Sequence, residues 1–380
     1  MNKNVLIIAG EASGDMHGAN LVREIKALAP ELNFYGLGGR KMDAEGVNIL
    51  YPIDKLAFLG FVEVLKHLPF IKKVKREVLE LVKEKNIQYS ILIDYPGFNL
   101  NIAEKLHKVG VKNIYFISPQ IWAWGKKRLI KIKTFISKMI VFFDFEYSLY
   151  QDADVDVEWI GHPLVDIISE YNFLSKEELF NKFNLDKEKE VLLILPGSRK
   201  NEIKKILPDC INGIKRVCSE LNLQPVIACS DNIEEDMLKE FSQGLKVVKG
   251  FTYDLMKNSK FGVIKSGTST LEAGLLNLPM IIVYKTSPLT YWISKKLIQL
   301  KSIGLVNIVA REQIVPELIQ NEVNDDNIYK NIKSLLIDES RYNSIKEKFV
   351  SLKHKLQNKG NASKEAAKII VDFLNEAKRS

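Results

Sequence analysis

The chain has 380 residues, enough for two domains, and its 46% hydrophobic and 27% charged content is that of a soluble globular protein, not a disordered or fibrous one. A formal net charge of +8 favours anionic partners: nucleotides, phosphorylated substrates or acidic lipid surfaces. No apolar run reaches the roughly 18–20 residues that span a bilayer, the apolar part of MNKNVLIIAGEASGD is too short for a signal peptide, and the three cysteines lack metal-ligand spacing, so a reducing, cytoplasmic location is expected.

In chain order, strands are expected at VLIIA (5–9), SILIDY (90–95), NIYFIS (113–118), MIVFF (139–143) and VEWIG (157–161). Helical patterns such as LVREIKAL (21–28) and IAEKLHKV (102–109) lie between them. The pattern weakens over 162–189, and a second series follows: VLLILPG (191–197), PVIAC (225–229), KVVKG (246–250), FGVIKSG (261–267) and MIIVYK (280–285). Residues 326–378 read as helical. This alternation predicts an α/β protein with two Rossmann-like domains joined near residue 165. Such a pair forms a cleft at the carboxyl ends of its strands, with room for one ligand per domain.

Five polar loops follow strands. GEASGDMHG (10–18) places Gly10, Gly14 and Gly18 at four-residue spacing before a helix. It is neither G-x-G-x-x-G nor a Walker loop; it reads as a close backbone approach to sugar or phosphate, or as a plain tight turn. DYPGFN (94–99) offers Asp94 as a general base if burial raises its pKa, or as a helix cap or turn residue beside Asn99. SPQIWAWG (118–125) precedes basic residues at 126–133, but the tryptophans are not spaced along a strand platform, so no nucleic-acid partner is expected. In LPGSRKNE (195–202), Ser198 can cap a helix and Arg199 can fork onto phosphate oxygens. In SGTSTLEAG (266–274), Ser266, Gly267, Thr268 and Ser269 suit phosphate, and Glu272 suits a ribose diol or a capping box with Ser269. The five histidines are scattered, and no metal site is expected.

Residues 56–82 are strongly apolar and basic. Phe58, Phe61, Val62, Val64, Leu65, Leu68, Phe70 and Ile71, with Lys72 and Lys73, suit a lipid interface or acyl chains; a core helix pair with a basic outer face is the bland account.

Taken in order, GEASGD (10–15), GLGGRKMDAEG (36–46), FLGFVEVL (58–65), IDYPGFN (93–99), SPQIWAWGKKR (118–128), IGHPLVD (160–166), LPGSR (195–199), SGTSTLEAG (266–274) and VNIVARE…PELIQ (306–320) resemble lipid-A-disaccharide synthase, a GT-B glycosyltransferase family. The resemblance implies an acceptor domain over 1–165, a nucleotide-sugar domain over 166–344, and C-terminal helices over 345–380 that return to the first domain. It implies the joining of UDP-2,3-diacylglucosamine to 2,3-diacylglucosamine 1-phosphate (lipid X), with inversion and release of UDP. No cofactor or metal is implied. The expected location is the cytoplasmic side of the inner membrane, peripherally attached to an anionic surface. Residue by residue, Asp94 takes the place of the essential acid, Arg199 that of the arginine at the diphosphate, and Glu272 the ribose position. Asn307 and Gln320 match nucleotide-sugar residues, and Ser13, Gly14 and Asp15 match the loop lining the reacting sugars. Gly97 stands where some relatives carry a second acid.

Overall fold

The computed structural model describes residues 3–55, 68–119, 126–230, 233–287, 291, 302–357 and 360–376. The chain divides into two compact units, Met1–Pro163 with Leu356–Ser380, and Leu164–Lys355.

The first unit is built on a seven-stranded parallel sheet: β1 (Asn4–Ala9), β2 (Asn33–Gly38), β3 (Val47–Pro52), β4 (Tyr89–Ile93), β5 (Lys112–Phe116), β6 (Lys138–Val141) and β7 (Val157–Trp159), in spatial order β3-β2-β1-β4-β5-β6-β7. Five successive buried residues in β1 fit a strand covered on both faces. Helix Ala12–Leu28 turns Leu21, Val22 and Ile25 inward. The last helix, Ala362–Glu376, packs on it and buries Ala362, Ala366 and Ile370 at four-residue spacing.

The second unit has a six-stranded parallel sheet: β8 (Glu190–Leu195), β9 (Leu223–Cys229), β10 (Lys246–Lys249), β11 (Ser259–Lys265), β12 (Met280–Tyr284) and β13 (Glu317–Ile319), ordered β10-β9-β8-β11-β12-β13. The chain comes back to the first unit at Leu356, later than the expected 345. Helix Glu339–Leu356 stays with the second unit because Ile345, Phe349 and Leu352 are buried and Tyr342 donates its hydroxyl to the Lys260 carbonyl at 2.7 Å.

Strands β2 and β3 are absent from the sequence reading. NFYGLG looks like a turn because of Gly36 and Gly38, yet Gly36 is an extended sheet residue. A Cβ there would meet the Ile7 carbonyl oxygen of β1, so only glycine fits.

In each sheet the strand order reverses once, between β1 and β4 and between β8 and β11. The loops leaving those strand pairs diverge, and ligands of open α/β sheets bind in the crevice so made.

Two of the glycines after β1 are needed for packing within the protein. A Cβ on Gly10 would strike the Tyr95 ring, and one on Gly18 would crowd Met42 and Ile93 at 2.7 and 2.9 Å. They let helix Ala12–Leu28 and Tyr95 close onto the sheet. Asp15 is also an internal residue. Its carboxylate is buried and accepts the N–H groups of Gly39 at 2.7 Å and of Lys41 and Met42 at 3.1 Å, anchoring the turn after β2. Asp15→Ala strands these donors and should lower the urea unfolding free energy by about 2–4 kcal/mol; a loss under about 1 kcal/mol would contradict the anchoring role.

Candidate active sites of the two units

Asp94 follows β4 at the first switch point. Asp94 and Tyr95 have φ of +43° and +46°, a left-handed conformation that non-glycine residues rarely adopt. The bend is held from several sides. Asp94 N–H donates to Phe116 O at 3.0 Å, and Asp94 O accepts the Tyr115 hydroxyl at 2.6 Å and Asn99 Nδ2 at 2.8 Å. Asn99 Nδ2 also reaches Ile93 O at 3.0 Å. Asp94 is not a helix cap, because Tyr95 holds that position for Pro96–Lys108. Burial, then the negative charge of Glu11, pushes the Asp94 carboxyl up to about 6, against the N–H of Tyr95. A carboxyl tuned near neutrality at a strand end has the properties of a general base.

Around it, Ser13 is exposed in the first turn of Ala12–Leu28, Gly14 is buried, and Glu11 is the exposed N-cap. Glu11 was not singled out from the sequence; two acids in one glycine-rich loop was the available signal. His17 and His162, far apart in the chain, both meet Phe142, with ring centres 5.5 and 5.2 Å away. Burial lowers their pKa values to about 4 and about 3, His17 adding to the shift of His162, so both are neutral at pH 7. Nothing in their sequence spacing announces this pair.

In the second unit a cavity of about 230 Å³ lies at the carboxyl ends of β8, β9 and β11, lined in part by Ser198, Arg199, Lys265, Ser266, Gly267, Thr268 and Ser269. Arg199 is 65% exposed, with Nη1 3.6 Å from Glu202 Oε1. Ser198 does not cap a helix; its N–H donates to Glu202 Oε2 at 3.2 Å. The Ser269–Glu272 capping box does not form either. Gly267 is the N-cap of Thr268–Leu275, and Thr270 Oγ1 donates to Gly267 O at 2.8 Å. Glu272 instead accepts the Tyr253 hydroxyl at 3.0 Å, and burial raises its pKa. Ser266 Oγ donates to Ile303 O at 2.8 Å, tying the loop to the segment before Asn307. The sequence reading missed the Glu202–Lys265 ion pair, 2.9 Å; the signal was a charge closing the otherwise apolar FGVIK strand.

Asn307 is bonded into the wall. Buried, it donates to Val315 O at 2.9 Å and Glu317 Oε1 at 2.8 Å, and accepts from the N–H groups of Ile314 and Val315 at 2.9 and 3.1 Å. Every donor and acceptor of its amide is used. Gln320 similarly pairs with Thr286, accepting its N–H at 2.7 Å.

Of the apolar-basic patch, Phe58, Phe61, Val62, Val64 and Leu65 lie outside the described residues. The rest opens helix Leu68–Glu84. Leu68 is 41% exposed and Lys72 and Lys73 are exposed, but Phe70 and Ile71 pack against the core. Among the described residues, no helix is long and apolar enough to cross a membrane.

A family model described as Lipid-A-disaccharide synthetase matches residues 5–371. The chain belongs to this family. Lipid-A-disaccharide synthases of Coxiella burnetii (strain CbuG_Q212) and Geobacter metallireducens are each 38% identical to it, over 98% and 99% of this chain and 99% and 98% of their own. Membership makes the protein a hexosyltransferase that performs the glycosyltransferase step of lipid A synthesis. Solved structures share the fold at low identity. The calicheamicin glycosyltransferase CalG4 aligns with TM-score 0.64 at 11% identity, over 98% of both chains. UDP-GlcNAc 2-epimerase from Neisseria meningitidis aligns with TM-score 0.59 at 12% identity, over 98% of this chain and all of its own. The GT-B scaffold of two Rossmann-like units is thus common to transferases and epimerases.

The raised pKa of Asp94 has a stability consequence. From its ordinary 3.8 up to about 6, the folded state holds a proton that the unfolded state has released, so stability falls as pH rises through this window. Asp94→Asn should therefore stabilise the enzyme at pH 7.5 by up to about 3 kcal/mol and leave it unchanged near pH 3.5. Urea titrations at the two pH values check this; an equal effect at both would contradict it.

Proposed function

We propose that this synthase transfers 2,3-diacylglucosamine from its UDP derivative to the 6-hydroxyl of 2,3-diacylglucosamine 1-phosphate, giving the β-1′,6 disaccharide 1-phosphate and UDP. The observation that carries the reading is the left-handed, half-buried Asp94 at the end of β4, whose carboxyl is pushed up to about 6 by desolvation. Its carboxylate takes the proton of the acceptor 6-hydroxyl as that oxygen attacks C1 of the donor sugar. The bond from C1 to the diphosphate oxygen breaks on the opposite face, its electron pair leaves with UDP, and the anomeric configuration inverts. No covalent intermediate is needed.

Arg199 and the loop Ser266–Ser269 receive the diphosphate, whose negative charge grows as it departs. Glu272, already an acceptor for Tyr253, takes the ribose diol. With protein cations serving the diphosphate, no metal is required, and EDTA should leave the rate intact.

Incubation with both diacylglucosamine substrates, reading UDP and the disaccharide mass, tests the reaction. Asp94→Ala should lower turnover by about 10²–10⁴-fold while UDP binding persists. In the wild type, kcat/KM should rise with pH through about 6, as expected of a base that must be ionised. Unchanged turnover in the variant would remove Asp94 from the mechanism.

The enzyme meets its lipid substrates at an anionic membrane surface, on the cytoplasmic face of the inner membrane. Supporting this are the net charge of +8 and the exposed Leu68, Lys72 and Lys73 at the start of their helix. Replacing Lys72 and Lys73 by alanine should weaken binding to phosphatidylglycerol vesicles about ten-fold or more, at roughly 1 kcal/mol per lysine. Equal co-sedimentation before and after would contradict the assignment.

A further inference from the structure

Lys265 ends β11, a strand whose Phe261, Val263 and Ile264 are buried, and its side chain is only 18% exposed. A cation so placed carries a desolvation cost unless negative charge meets it. Glu202 meets it at 2.9 Å, but the same carboxylate is shared. Its Oε1 also lies 3.6 Å from Arg199 Nη1, and its Oε2 accepts the Ser198 N–H at 3.2 Å. Lys265, Arg199 and Glu202 all line the one cavity, so its charged side chains sum to an excess of one positive charge.

A second observation comes from the neighbouring strand end. Ser230, just after β9, lines the same cavity, and its buried Oγ has no hydrogen-bond partner among the described residues. Buried hydroxyls in native proteins are nearly always paired. A donor of this kind beside a positive excess fits a ligand rich in anionic oxygens.

We propose that Lys265 is a second cation for the diphosphate of the nucleotide sugar, held in position by Glu202, with the Ser230 hydroxyl as a further donor. This rests on the nucleotide-sugar reading above and adds to it residues that the family resemblance does not assign. Arg199 follows β8 and Lys265 ends β11, so the two cations flank the second switch point. An ammonium has three donors. One serves Glu202, and the others are available to the bridging or terminal phosphate oxygens. As the bond to the sugar breaks, the growing charge on UDP meets a cation that is already in place.

The test measures UDP and uridine binding to the full chain. The wild type should bind UDP more tightly than uridine. In Lys265→Met, uridine affinity should hold while UDP affinity falls about ten-fold or more, the scale of a lost charge-assisted hydrogen bond. Turnover should fall with it, and Lys265→Arg should recover much of both. A variant that keeps the wild-type UDP-to-uridine ratio, including one in which both affinities drop equally, overturns the assignment. If Lys265→Met does not fold, Lys265→Gln, which keeps a donor for Glu202 but no charge, is read by the same two outcomes. A wild type that binds UDP no better than uridine overturns the nucleotide reading itself, a result distinct from failure of Lys265 alone.

Discussion

Two consecutive non-glycine residues, Asp94 and Tyr95, are held in the left-handed region at the end of a central strand. Each such residue costs about 1–3 kcal/mol. The bend survives because Tyr115, Asn99 and Phe116 grip its backbone, with Gly10 leaving room for the Tyr95 ring. A half-buried carboxyl near the charge of Glu11 adds to the cost. The surrounding sheet is therefore organised to keep one acid in a conformation and a protonation range that it would not adopt alone.

The same topological device serves both units. A reversal of strand order opens a crevice between diverging loops, and the loops after β1 and β4, or after β8 and β11, supply its walls. Chemistry is divided between the crevices. The first holds a half-buried acid whose carboxyl is pushed up to about 6. The second holds cations, small polar residues and helix N–H groups suited to an anion. The two environments are electrostatically opposite: the first destabilises a negative charge, and the second stabilises one.

Several polar residues that the family resemblance points toward the substrates fasten one part of the protein to another. Asp15 anchors the turn after β2, Asn307 knits the segment ahead of β13, and Gln320 ties that segment to the end of β12. They fix the loops beside the strand ends. A motif records that such a residue is needed at that place in the chain; it does not say whether the side chain faces the ligand or the protein.

Read alone, the sequence determined the α/β class, the parallel sheets and the strand-end positions of the polar loops, because buried strands and amphipathic helices are written in local periodicity. It missed β2, whose glycines mimic a turn until β1 is laid beside it. Tertiary structure alone decided that burial pushes the Asp94 carboxyl upward and that His17 and His162 both meet Phe142. It also decided that Glu202 holds Lys265 and that the glycines of the first loop face protein. Each of these depends on burial and on charges or atoms brought close from distant parts of the chain. Electrostatic and packing energies follow distance in space, and spacing along the sequence carries no record of it.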